Sequence, residues 1–238
     1  VLQRYGWEKG WELLAAIAAN ARALPEHSSQ VPQDTISGQL AYSMLIDTYA
    51  YSAVEQAGAD KLEFIIPAED TIITPDPIGI LKGAKNVEVA KAFIEFSLSP
   101  EGQKIWMYKK GEPEGPVEFS LNKMSNLPSL YKDGLKHSNV MVNPFTFKQA
   151  FEYSFEKGST RWALVDDMTG ALLVENHDAL VTAWKKAGAK GIASFFKVPV
   201  SEEEGLKLAK DAWNDPVQRG KIVAQWKQDA AKAYAAVK

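Results

Sequence analysis

The sequence predicts an α/β chain with a mostly helical tail, and three observations carry that expectation. Short apolar runs alternate with amphipathic segments through roughly the first 100 residues, the order expected when strands and helices share a sheet. From about residue 145 onward the apolar spacing is almost entirely that of helices. With 238 residues, 46% hydrophobic and 11% aromatic, the chain can bury a sizeable core and is not a disordered polymer.

Trp7, Trp11, Leu14, Ile17 or Ala18, Ala21 and Leu24 recur every three to four residues and predict a helix ended by Pro25. A polar loop over 25–34 follows. Ala41 to Ile46 reads as a short strand buried on both faces. Asp47-Thr48 suits an N-cap, and the helix over 48–57 stops at Gly58. Leu62 to Ile66 reads as a second strand stopped by Pro67, Thr71 to Thr74 as a third, and Ile78 to Leu81 as a fourth apolar run. Asn86 is placed to cap a helix whose apolar residues are Val89, Ala90, Phe93, Ile94 and Phe96. Ser99-Pro100-Glu101 is a favoured helix start: a Ser cap, Pro at the first helical position, then an acid at the positive dipole end. Residues 111–144, rich in Gly, Pro, Asn and Ser, read as irregular, and helices are expected over 161–187, 201–213 and 216–237.

Charge and motif content narrow the function. Lys and Arg number 27 against 30 Asp and Glu, a net charge of −3 without clustered cations, so no nucleic-acid partner is expected. The absence of Cys removes disulfides, thiolate zinc sites and Cys nucleophiles. No apolar run is long enough to span a membrane. Gly-x-Ser-x-Gly, Walker, Gly-x-Gly-x-x-Gly and His-Glu-x-x-His motifs are all missing. His27, His137 and His177 are far apart. Glu175 and Asp178 share a helical face that His177 does not, which reads as a solvated face rather than a ligand set. The Lys109-Lys110 and Lys185-Lys186 pairs read as exposed turns and helix ends. No catalytic residue, metal site or cofactor is predicted.

The candidate ligand-binding residues are Asp47, Thr48, Tyr49 and Tyr51. They sit where an apolar run gives way to a helix, and ligands in open α/β sheets bind beyond the carboxyl ends of strands. A helix N-terminus adds free N–H groups, and the phenols can donate, stack or, when ionised, bind hard metals. The alternative stays open that Asp47 only caps the helix and the tyrosines only pack. Trp7, Trp11, Trp106 and Trp162 read as core rather than as a platform for a sugar.

The run Asp76-Pro77-Ile78-Gly79-Ile80-Leu81-Lys82-Gly83-Ala84-Lys85-Asn86, then Ala90 to Phe96, then Leu98-Ser99-Pro100-Glu101-Gly102-Gln103, resembles a signature of extracellular solute-binding proteins of ABC importers. The likeness is greatest to the branch of ferric-iron, sugar-phosphate and phosphonate binders. Gly6 to Trp11, Ser37-Gly38-Gln39 and Ala57-Gly58 fit in the same order, so the resemblance covers about residues 5–110. It implies a periplasmic-binding-protein type II-like fold of two α/β lobes closing on a solute. Residues 1–66 would then complete the second lobe, and residues 67–238 would return to the first lobe and add the helical tail. Because the signature lies late in such chains, and the sequence opens on Val1, it also implies a C-terminal portion whose N-terminal lobe is missing. The implied partners are a small-molecule solute and an ABC permease, and the implied location is extracytoplasmic.

In ferric binders of that branch two adjacent tyrosines follow the strand corresponding to 41–46. Here Ala50 separates Tyr49 from Tyr51, so the pair is broken. A sugar, polyol or phosphorylated compound is therefore preferred over iron. A sensory ligand-binding domain, or an enzyme on the same fold, are the other readings.

Overall fold

The structure is a computed structural model that describes residues 1–67 and 69–238. Ala68, at the start of the segment expected to return to the first lobe, lies outside them. In chain order the α-helices are α1 (Leu2–Tyr5), α2 (Trp7–Asn20), α3 (Val31–Ile36), α4 (Asp47–Ala57), α5 (Val87–Leu98), α6 (Pro100–Met107), α7 (Phe155–Thr169), α8 (His177–Ala187), α9 (Glu202–Lys210) and α10 (Pro216–Ala235).

Among the described residues there is no strand and no sheet, which overturns the α/β, periplasmic-binding-protein type II-like expectation. The reason is visible in the four runs read as strands. A strand persists only where a neighbouring backbone answers its N–H and C=O groups. The runs at 41–46, 62–66, 71–74 and 78–81 are irregular and have no ladder. Tyr42, in the run expected to be buried on both faces, is 94% exposed instead, and Leu81 of the fourth apolar run is 83% exposed. At Ile73 a side chain stands in for the missing neighbour. Gln149 Oε1 accepts from the Ile73 N–H at 3.0 Å, and its Nε2 donates to the Ile73 carbonyl at 3.2 Å.

The chain divides into two compact units. The first comprises residues 1–24 and 151–238, and it is helical. Its core joins Trp7 and Trp11 of α2, Leu164 and Met168 of α7, Leu180 of α8, Trp213, and Trp226 and Tyr234 of α10. Trp7 meets Trp11 edge-on at 5.8 Å, and Trp213 stacks on Trp226 at 5.5 Å. Trp162, read as core, is 73% exposed, because α7 turns its Arg161–Leu164–Met168 stripe inward and leaves Trp162 on the other side. The single helix expected over 161–187 is interrupted by a π-helical turn at Gly170–Val174. Two of the carbonyls there are answered by side chains, and Asn176 also reaches α10. Asn176 Nδ2 donates to Ala171 O at 2.8 Å and to Lys227 O at 3.0 Å, and the Tyr234 hydroxyl donates to Leu172 O at 3.0 Å. A Ser201–Glu204 capping box starts α9, and Asp215 caps α10 with Pro216 in its first turn.

The second unit, residues 25–150, holds α3 to α6 and two 3₁₀ turns, Pro128–Tyr131 and Gly134–His137. Helix α4 begins at Asp47, one residue before the expected start, and ends at Gly58, whose φ of +98° suits glycine. Asn86 occupies the N-cap position of α5 without a side-chain hydrogen bond, whereas Ser99 caps α6 by accepting from the Gly102 N–H at 3.1 Å. Gly102 is where the two helices meet: a Cβ there would lie 2.0 Å from the Phe96 carbonyl oxygen. No rotamer relieves a clash with backbone. Gly102→Ala is therefore expected to lower stability by about 1–3 kcal/mol, the usual range for forced overpacking. Urea denaturation checks it, and an unchanged midpoint would show that the α5–α6 junction yields freely.

Candidate functional site

The second unit contains a cavity of about 620 Å³. Its walls come from five places: the start of α4 at Ile46 and Asp47, the irregular segment 73–78, the end of α5 with Gln103 and Trp106 of α6, the segment 123–126, and Pro144-Phe145. Trp106, Phe145, Ile46, Ile73, Ile78 and Leu98 make most of the surface apolar, with a few polar groups among them. That is the usual make-up of a small-molecule site.

Buried polar side chains fix the walls to one another. Gln103 is 4% exposed. Its Nε2 donates to Ser97 O at 2.7 Å, while its Oε1 accepts from Ser125 Oγ at 2.9 Å and from the Asn126 N–H at 2.6 Å. One amide thus ties α5 and α6 to the segment 123–126. Asn122, buried and left-handed at φ +53°, ties the same segment to α4. Its Nδ2 donates to Glu55 Oε2 at 3.0 Å and Ser52 Oγ at 3.2 Å, and its Oδ1 accepts from Asn139 Nδ2 at 3.0 Å. Burial pushes the Glu55 carboxyl up. Hydrogen bonds from Ser120, Asn122 and Asn139, with Lys110 nearby, outweigh it and hold the group below the usual carboxylate range. The Tyr131 hydroxyl donates to Ser125 O at 3.0 Å, and burial pushes that phenol up to about 12.

Of the residues singled out from the sequence, Asp47 lies on the cavity wall, where its Oδ1 accepts from the Thr48 N–H at 2.8 Å. Thr48, Tyr49 and Tyr51 are not among the wall residues. Tyr49 faces solvent, and Tyr51 packs edge-on against Phe64 at 5.0 Å. Burial, and then the Asp47 carboxylate, raise the Tyr51 phenol. Sequence reasoning missed Gln103, Lys123 and Phe145 and read Trp106 as core. The signal that could have found Gln103 is a polar residue on the inward face of α6, beside Trp106.

A second cleft, of about 490 Å³, lies in the helical unit. Its charges answer each other. Asp167 accepts from Arg219 Nε at 2.6 Å, Arg219 Nη2 at 2.9 Å and Trp213 Nε1 at 2.8 Å, and Glu175 pairs with Lys227. Those ion pairs are structural. Among the described residues no cluster of three or more His, Asp or Glu could hold a metal, and no helix is long and apolar enough to cross a membrane.

Residues 2–118 match the family profile of bacterial extracellular solute-binding proteins. The chain is also similar to the phosphoglycerate transport regulatory protein PgtC of Salmonella typhimurium, 31% identical over 105 residues, which is 44% of this chain and 25% of that protein. The PgtC protein of Salmonella typhi matches equally. An uncharacterized protein of Haemophilus influenzae is 25% identical over 134 residues, 52% of this chain and 38% of its own length. The chain thus spans a quarter to two fifths of the length of these curated relatives. No solved structure matches it significantly.

Proposed function

We propose that the chain serves solute capture outside the cytoplasm, with the cavity of residues 25–150 as the place where a small polar organic solute is held for a membrane permease of an ABC uptake system. One observation carries this reading. The profile match covers residues 2–118, and twelve of the eighteen residues lining the cavity fall inside that span. Of the remaining wall residues, 123–126 are fastened to it through Gln103 and Asn122, and Phe145 packs on Tyr131, whose hydroxyl donates to Ser125 O. Binding without turnover needs a shaped, mostly apolar recess with a few fixed polar groups, and the cavity supplies that. A second reading, solute sensing rather than delivery, is favoured by the regulatory role in the name of the Salmonella relatives.

The test is native mass spectrometry of the protein purified from its host, followed by calorimetry with the solute so found. Trp106 forms part of the wall, so Trp106→Ala is expected to weaken binding at least about tenfold, a loss of roughly 1.4 kcal/mol. Circular dichroism should stay unchanged. Equal affinity in the folded variant would remove the cavity from solute binding.

A further inference from the structure

We infer that the cavity takes an uncharged, hydroxyl-rich solute with one apolar face, a sugar or polyol, and discriminates against its phosphorylated counterpart. The inference rests on the reading of the cavity as the solute site. Charge is the first argument. Two carboxylates, Asp47 and Asp76, line the wall against one cation, Lys123, whose Nζ already lies 3.1 Å from Asp76 Oδ2. No arginine lines it, so the fork that grips phosphate in two places is absent from the wall. A phosphate brought close to either carboxylate meets like charge and is repelled.

The helix end is already partly taken by a carboxylate. The first turn of α4 would offer free N–H groups and a positive dipole end. That turn begins with Asp47, whose own carboxylate takes the Thr48 N–H. The Gln103 amide is spent at both ends.

The polar atoms left over suit hydroxyls. Among the described residues, five polar groups of the wall residues have no hydrogen-bond partner: Asp47 Oδ2, the Thr74 hydroxyl, Asp76 Oδ1, Trp106 Nε1 and the Asn126 side-chain amide. They are two anionic acceptors and three neutral groups. A hydroxyl both donates and accepts, so a polyol can serve all of them, whereas a phosphate at neutral pH is mainly an acceptor. Trp106 and Phe145 add flat apolar surface for the C–H face of such a solute. Phe145 is held edge-on against Tyr131 at 5.7 Å.

Calorimetry with D-glucose, D-glucitol and their 6-phosphates, at millimolar concentration, tests the inference on the whole chain. At least one uncharged compound is expected to bind at least tenfold more tightly than its phosphate. Asp47→Asn should narrow that ratio several-fold, because it removes a repelling charge and keeps the shape. A phosphate that binds as tightly as its parent, and loses affinity in Lys123→Met, would overturn the solute class and leave the cavity standing. Binding that Trp106→Ala and Asp47→Asn both leave unchanged would overturn the cavity reading as well. No binding of any of the four overturns the inference.

Discussion

Replacing Glu202 by Ala is expected to destabilise the helical unit by about 3–5 kcal/mol, because it strands a buried cation. Arg161 is 3% exposed. Its guanidinium lies 5.0 Å from the Trp7 ring and pairs through Nη1 with Glu202. Lys157 Nζ reaches the other carboxylate oxygen of Glu202 at 2.6 Å. Removing the carboxylate leaves Arg161 without its counter-ion in a place water does not reach, and Lys157 adds to the repulsion. Glu202 also sits in the first turn of α9, where an acid contributes a further few tenths to about 1 kcal/mol through the helix dipole. Glu202→Gln keeps the shape and one acceptor oxygen, so it should cost less than Glu202→Ala.

The same pair predicts a pH dependence of definite sign. Burial pushes the Glu202 carboxyl up, but hydrogen bonds from Lys157 and Arg161 and their charges outweigh it, and the group sits below its ordinary value. A group depressed on folding stabilises fully above its unfolded-state value, near 4.3, and that contribution is lost as the pH falls through the folded value. Urea unfolding of the wild type and Glu202→Gln should therefore differ most near neutrality and converge in acid. A gap that stays constant down to pH 3 would mean that Glu202 does not hold Arg161 by charge.

What was legible in the sequence follows the range of the interactions involved. Helix starts at Ser99-Pro100, Ser201 and Asp215-Pro216 were readable, because a cap is made by residues two or three apart. The predicted strands failed because an apolar run specifies only that a segment is extended, while the ladder depends on a neighbour distant in sequence. Tyr42 and Leu81 look like core residues in a one-dimensional pattern and face solvent here. The break between α7 and α8 is hidden for a related reason: Tyr234, distant in sequence, answers the Leu172 carbonyl that the π turn frees. At the candidate site, the sequence places Asp47 after a strand. In the structure it lies on the cavity wall as the first residue of α4, after a segment without a ladder, so the strand premise is not kept. Gln103 was out of reach, since its meaning lies in contacts to Ser125 and Asn126, more than twenty residues on.

Trp11 separates two contributions that an aromatic core residue usually makes together. Its side chain is fully buried, edge-on to Trp7 and packed among the helices of the core. Trp11→Ala should therefore cost about 3–5 kcal/mol, the range for truncating a large aromatic in a core that collapses only in part. Its indole Nε1, however, is buried with no hydrogen-bond partner among the described residues. A buried donor without a partner carries a penalty of about 1–3 kcal/mol, which a phenyl ring does not incur. Trp11→Phe should then lose packing but recover part of that penalty, and cost well under half of what Trp11→Ala costs. Trp7 is the control, since its Nε1 donates to Val200 O at 2.8 Å. Trp7→Phe abandons that carbonyl as well as ring area, so it should be the more damaging of the two Phe variants. Guanidinium denaturation of the four proteins orders them. If Trp7→Phe and Trp11→Phe lose equal stability, the Trp11 N–H is not an unmet donor, and packing alone sets the strength of this core.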